Sequence, residues 1–554
     1  MDKNLLRLWQ SVSSGSSKKE HLAEVLGLSL KQTTRYIHKW TKEGWLTFTS
    51  GRGRGNVSKL QWLKNVEEIY EDHIMKMMDQ EPIEITSKYL LFDWSIESKQ
   101  RLLKKFHSKF GYTQSTNVYD KLIVPRKYPF LTIHPLESAD IQSANIVANV
   151  YNKLVSIDEK GVVLPELAHS WDLTSYKLRL YLKKDIKFHD GSVLSAEDVV
   201  FCLQRLRNHE DFRGLWKHAD NISALSPLIV DIDFSSGWSC SLQMLSKLNA
   251  CIYKEVNGRL FGTGCFYIEE NNEFKTTLLA FKDYFQERPL LDAVEFVQVP
   301  LDFDMIYRSA NQEKEDSTFQ VESNSGFGVI IMNTFRQSAI QHKGVRDYLH
   351  YIIGKQRHEI DKVSTRLIAN HEGCLIGQSQ LYMLKEVERP HFTEPIIIRG
   401  VNYTEQTTMW LKETLEKENI PVEIKWLSFE DTIKRKGNEH FDLFIHGEGF
   451  EINHDFSFYY FLQNGRSPLA NVLETDPTLL ALLNNYVNTP FKKWNSLNLQ
   501  MEKTLISSSI MIPLYYSKRQ IPFSHDLMNI NITHFGYVDF SKLWVKPNLT
   551  KKAH

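Results

Sequence analysis

The sequence predicts a multidomain protein, with an α+β winged helix-turn-helix at its start and a much larger α/β body behind it. Three observations carry this expectation. The chain has 554 residues, and at roughly 100–200 residues per domain that means three or four compact units. The net charge of +0 is unevenly spread: residues 1–64 hold 12 Lys and Arg against 4 Asp and Glu, leaving a basic start on a mildly acidic remainder. Finally, the spacing of apolar residues is helical through about residue 42 and alternating over 44–63, and it returns further on as strand–turn–helix units.

Leu5, Leu6, Trp9 and Val12 recur at helical spacing and predict a first amphipathic helix. In "SKKEHLAEVLGLS", Ser17 and Glu20 have the spacing of a capping box, Leu22, Val25 and Leu26 share a face, and Gly27 is a stop. Ser29 and Gln32 repeat the box and open "SLKQTTRYIHKWTKEG", where Leu30, Ile37 and Trp40 can face inward and the basic residues outward. Two helices joined by so short a turn predict a helix-turn-helix, with the second helix entering the major groove.

"GWLTFTSGRGRGNVSKLQWL" (44–63) predicts two strands around a glycine-rich turn, a wing with Arg52 and Arg54 at its tip. Arginines on a thin tip can reach phosphates or a minor groove. "GRGRG" is no phosphate loop, since Gly-Lys-Ser/Thr does not follow and no helix opens there. The residues expected to meet double-stranded DNA are Ser29, Lys31, Gln32, Thr33, Arg35, Tyr36 and Lys39 on the helix, and Arg52, Arg54, Asn56 and Lys59 on the wing. Residues 66–116 are polar and helical in pattern. They predict a connector, open at this stage between a solvated spacer and a dimer contact.

In the body, "SYKLRLYLKKDIKFHDGSVLSAEDVVFCLQRL" predicts an alternating strand, a turn at Asp190-Gly191 and a helix capped by Ser195, with Asp198 in its first turn. His189 and Asp190 are accounted for by turn and cap, with no second ligand pair at metal spacing. This stretch resembles the dipeptide/oligopeptide class of bacterial solute-binding proteins, family 5. The resemblance extends in order through "TIHPLESADIQSANIVANVYNKLVSID", "PELAHSWDL", "GTGCFYIEE" (Cys265 at a usual proline), "IIMNTFRQSAIQHKGVRDYLHYIIGK" and "IMIPLYYSKRQI". It implies a type 2 periplasmic-binding-protein-like body, two α/β lobes closing on a ligand. With the winged helix and the ending "FGYVDFSKLWVKP", the chain from Arg7 to about Trp544 resembles the SgrR-like transcriptional regulators, cytoplasmic activators or repressors tied to sugar-phosphate stress and to nearby transport genes.

The implied domains are 1–65 winged helix, 66–116 connector, 117–329 lobe I, 330–511 lobe II, and 512–554 the return to lobe I with the tail. "FIHGEGFEINHDFSFYYFL" aligns with the peptide-binding relatives' Gly-Trp-x-x-Asp, placing Glu448 at the Trp and Glu451 at the Asp. Carboxylates can accept from sugar hydroxyls, so Glu448, Glu451 and Asp455 are candidate ligand contacts. Trp238 is either a stacking surface for a sugar or core filler. The effector is expected to be a sugar, sugar phosphate or oligopeptide.

No H-E-x-x-H, G-x-S-x-G, Walker loop or dinucleotide fingerprint is present, so no enzyme activity, cofactor or metal is expected. Five cysteines without a C-x-x-C pair suit a reducing compartment. No apolar run of membrane length occurs, and "MDKNLLRLWQ" lacks an export signal's pattern, so the expected location is the cytoplasm, without membrane insertion. A homodimer would supplement the few base contacts of a single head. The alternative reading is a solute-binding protein of an ABC transport system whose N-terminal unit docks a protein.

Overall fold

The computed structural model describes every residue except 52–56, 115–118, 159, 235–237, 309–317, 365, 376–385, 434–436, 451–453, 533–537 and 547–554. The N-terminal unit, hereafter the head, contains α1 (Lys3–Ser11), α2 (Lys19–Leu26), α3 (Leu30–Lys42) and a three-stranded sheet in the order β1-β3-β2, from β1 (Gly15–Ser17), β2 (Leu46–Thr49) and β3 (Ser58–Trp62). Leu5, Leu6, Leu22, Leu26, Ile37, Trp40, Leu46 and Leu60 make its core.

The sequence expectation for α2 needs correcting. Ser17 pairs with Ser58 in the β1–β3 ladder, so Lys18 takes the cap position with no side-chain cap bond. Leu30 is likewise 48% exposed instead of inward-facing, because Thr33, Ile37 and Trp40 already fill the buried stripe of α3.

The expected connector is no solvated spacer. α4 (Val66–Gln80), α5 (Ile83–Leu90) and α6 (Ile96–His107) pack on the five-stranded sheet of lobe I, and α4 joins two cores. Val66 and Tyr70 belong to the head core. Ile74 and Met78 belong to a core made with Leu102, Phe106, Phe110, Ile123, Val297, Val299 and Phe303. Fifteen helical residues rise about 22 Å, so one rigid element runs from the head into lobe I.

That lobe I sheet runs in the order Phe266–Asn271, Lys275–Ala280, Ala293–Gln298, β5 (Asp120–Arg126), β4 (Gly111–Gln114), and the middle pair is parallel. Both its faces are covered. Leu122, Val124, Val294 and Phe296 point into the large lobe core, while Ile123 and Val297 point at the helices. This explains the unbroken apolar run 122–124, since a strand buried on both sides does not alternate. A four-stranded antiparallel sheet completes lobe I.

Lobe II is a six-stranded mixed sheet around the long antiparallel pair Thr318–Met332 and Met511–Ser524. The lobe I ends of these strands pair at Thr318–Ser524, beside a bridge from Tyr307 to Phe523. The other ends lie inside lobe II, so the pair is the crossover between lobes.

Two family-like motifs meet in lobe I. His189 accepts from the Gly262 N–H through Nδ1 (3.2 Å), and its Nε2 lies 3.0 Å from the Gly264 carbonyl. Burial pushes this imidazole down to about 4. Gly262 and Gly264 press on the Val150 backbone, where an added Cβ would sit 2.1 and 2.4 Å from its atoms. Ser195 and Asp198 form the capping box of Ala196–Asn208, and Asp190 accepts from Ser192 within the turn. The turn-and-cap reading of "HDG" therefore describes the geometry.

Candidate nucleic-acid interface and interlobe cleft

Gly27, with φ 63°, ends α2 in the left-handed conformation and turns the chain so that Ser29 caps α3 two residues later. Successive residues on α3 are 100° apart, so Lys31, Arg35, His38 and Lys42 form one exposed stripe opposite Thr33, Ile37 and Trp40. The predicted DNA contacts separate accordingly. Lys31 and Arg35 are exposed on the stripe. Ser29 and Gln32 are engaged with each other in the capping box. Thr33 is buried at 1% exposure, with its hydroxyl donating to the Ser29 carbonyl, so it cannot contact a base. Tyr36 leans on Trp40.

Lys39 lies 3.3 Å from Asp2, whose carboxylate raises the ammonium above its ordinary value. The same carboxylate accepts from the Trp40 indole at 3.0 Å and from the Asn4 N–H, tying α1 to α3. On the wing, Lys59 is exposed on β3, while Arg52, Arg54 and Asn56 lie outside the described residues. His38 was missed from sequence, although its spacing of seven from Lys31 was the available signal.

The second site is a cavity of about 1070 Å³ between the lobes. Lobe I contributes Arg126, Tyr128, Gln142, Asn145 and 302–307; lobe II contributes Arg366 and 402–407; the crossover contributes Tyr515, Ser517 and Gln520. Arg126 is 2% exposed, stacks over Phe130, and donates to the Thr276 hydroxyl and to the carbonyls of Asn272 and Glu273. Burial brings it down to about 10, so it stays charged at neutral pH. Amide, hydroxyl, aromatic and charged groups thus converge on one space of ligand size.

None of the three described ligand candidates lines that space. Trp238 is 3% exposed and packs edge-on against Trp216 and Phe234. Of its two readings, core filler is the one realised, because the ring is sealed among lobe I side chains. Asp455 opens the helix His454–Gln463 and accepts from Asn498 at 3.2 Å, which ties that helix to Trp494–Ser507. Glu448 sits on the strand Leu443–Gly449, half-buried, with His446 Nε2 at 3.2 Å from its carboxylate. Its charge is felt by the phenol of Tyr403, which does line the cavity. Glu451 lies outside the described residues. Residues 302–307 and 402–407 were missed, and no local pattern marks them.

Lobe II helices also seat directly on lobe I, through residues that do not line the cavity. The Arg466 guanidinium pairs with Asp211 at 2.9 Å and donates to the carbonyls of Leu136 and Ser138. Asn249 donates to the Tyr460 hydroxyl at 2.9 Å, and Lys247 lies over the rings of Phe456 and Tyr460.

Residues 1–115 match the family described as "Sugar transport-related sRNA regulator N-term", and residues 162–334 match "Bacterial extracellular solute-binding proteins, family 5 Middle". Proteins named HTH-type transcriptional regulator SgrR are similar over 99% of both chains. The one from Photorhabdus laumondii is 23% identical and that from Pectobacterium atrosepticum 22%. Among solved structures, the periplasmic binding protein DppA of Helicobacter pylori in complex with the peptide STSA superposes with a TM-score of 0.64 at 17% identity, covering 77% of this chain and 98% of that one. The oligopeptide-binding protein AppA of Bacillus subtilis in complex with a nonapeptide gives 0.63 at 17%, covering 77% and 99%. NikA of Brucella suis in complex with Fe(III)-EDTA gives 0.62 at 15%, covering 77% and 100%.

Proposed function

Since this chain joins an SgrR N-terminal domain to a family 5 solute-binding domain, we propose that it is a cytoplasmic transcription regulator that reads duplex DNA with α3 and the wing and senses a small solute between its lobes. The observation that carries the reading is the exposed stripe Lys31–Arg35–His38–Lys42 on a helix whose opposite face is locked into the head core. Lysine and arginine on such a stripe neutralise phosphates and reach base edges in the major groove. All five cysteines are free and buried, in keeping with a reducing compartment. Among the described residues no helix is long and apolar enough to cross a membrane.

The effector is a sugar, a sugar phosphate or a short peptide, held by the interlobe cavity. Its mixed lining of Lys127, Arg366, Gln142, Asn145 and Tyr128 offers donors, positive charge and a ring for any of these. A ligand that binds only the folded lobes raises the melting temperature, so thermal shifts against the three classes identify the right one.

The decisive test is the Lys31→Ala, Arg35→Ala double variant. Specific affinity should fall about tenfold or more, and each lost phosphate contact should flatten the slope of log affinity against log salt by about 0.9. An unchanged affinity and slope would remove α3 from the interface. Light scattering with and without duplex reads whether two heads act together.

A further inference from the structure

We infer that residues 299–308 are the transmission element of this regulator, carrying the state of the interlobe cavity to the DNA-binding head; the inference rests on the DNA-binding and sensing functions proposed above. Three bodies hold this short segment. The cavity is lined by the whole stretch from Asp302 to Tyr307. The same stretch is gripped by α6 and the turn after it. Phe303, 2% exposed, stacks on the His107 imidazole with centroids 4.0 Å apart and planes at 17°, and meets Phe110 at 5.0 Å. Lys99 of α6 pairs with Asp302 at 2.8 Å.

Its far end is bonded to the crossover. The Tyr307 N–H donates to the Pro522 carbonyl, the Ser524 N–H donates to the Tyr307 carbonyl, and the Tyr307 ring stacks on Phe523 at 4.9 Å. Next to it the Arg308 carbonyl accepts from the Tyr112 N–H, at a place where a Cβ on Gly111 would stand 2.8 Å from that oxygen. A rotation of lobe II about the crossover therefore displaces Tyr307, and Phe303 passes the displacement to α6. From there it reaches the head through a rigid body. Arg101 of α6 pairs with Glu71 of α4, the Ser95 N–H donates to Glu67, and α4 ends in the head core at Val66 and Tyr70. A two-state element biased from both ends is what coupling between sites requires.

Binding coupling is reciprocal, so an unidentified effector is not needed to test it. The probe is a duplex captured by the purified full-length protein from its own chromosome, with a scrambled duplex as control, and the readout is amide hydrogen exchange. In the native protein the captured duplex should change exchange about fivefold at 299–308 and at the lobe II wall 402–407. The variants are His107→Ala and Phe110→Leu. Both residues lie off the DNA stripe and the cavity wall, so duplex affinity should stay native while the response at 402–407 is lost. His107→Ala alone decides the matter if Phe110→Leu does not fold. A change that stops before residue 299, or that still reaches 402–407 in the variants, overturns the inference while leaving the DNA-binding function intact. A native protein that captures no duplex in preference to the scrambled control overturns both.

Discussion

The joint between head and lobe I and the joint between the two lobes are built of different materials. The first is led by a helix running from one apolar core into another, joined by Phe92 and Trp94 against the head core and an Arg7–Asp93 pair, and is sealed on lobe I by Phe106, Phe110 and Phe303. The second has apolar contacts too, but it borders a cavity of about 1070 Å³ and is laced with polar ties such as Arg466–Asp211 and Asn249–Tyr460. Apolar interdigitation resists sliding because each gap forfeits contact energy. The Arg466–Asp211 tie is itself largely buried and apolar core runs across the lobes as well, so what sets the second joint apart is the open space between the lobes, whose walls are not locked together. One joint is therefore suited to move as a unit, the other to part.

Breaking the first joint should have the largest effect. Phe106→Ala empties the centre of the cluster shared by α6 and lobe I and should cost about 4 kcal/mol. Calorimetry should then resolve separate transitions for head and body where the native protein unites them. Breaking the second joint should cost less and look different. Arg466→Ala leaves Asp211 without its guanidinium, a loss of about 3 kcal/mol. Small-angle scattering should report a larger radius of gyration, because the lobes separate while the head stays attached. An unchanged radius would mean that the remaining contacts, Asn249 with Tyr460 and Lys247 with Phe456 and Tyr460 among them, suffice to hold the lobes together.

Acid sharpens the contrast. Burial holds His350 down near 3 and His189 near 4, both within the lobes. An unfolded histidine takes its proton near pH 6.5. Below that value the unfolded state binds a proton that the folded state refuses, so stability is full above pH 6.5 and falls as pH drops toward the folded values. Each histidine contributes a slope of about 1.4 kcal/mol per pH unit there. The body's transition should drop over that range, and His350→Gln should flatten the decline. The smallest effect is local: Ser29→Ala removes the cap of α3 and should cost the head about 1 kcal/mol, read by its helical circular dichroism on warming.

Legibility in the sequence follows the range of the physics involved. Ser29–Gln32 and Ser195–Asp198 were readable because a capping box closes within four residues. Ser17–Glu20 has the same spacing and failed, since pairing with Ser58, some 40 residues away, claimed the backbone first. Apolar periodicity placed α3 correctly, but it could not tell that Leu30 would face water or that Thr33 would be sealed in. The fold of the body was legible through motifs whose glycines are forced by contact, as at Gly262 and Gly264 against Val150. The cavity was not. Its walls at 302–307 and 402–407 are brought together only by lobe packing; counting along a motif led instead to Glu448, beside the cavity wall, and to Glu451, outside the described residues, while the neighbouring candidate Asp455 braces two helices.

The helix common to both cores also decides how this protein can be dissected. A fragment ending at residue 65 would strip Val66 and Tyr70 from the head, removing the hydroxyl that receives the Asp2 N–H. One ending at 115 would keep the head whole but leave Phe106 and Phe110 facing water, an adhesive surface that invites aggregation. A soluble minimal DNA-binding piece therefore needs polar replacements on the underside of α6, or the outer face of lobe I left in place.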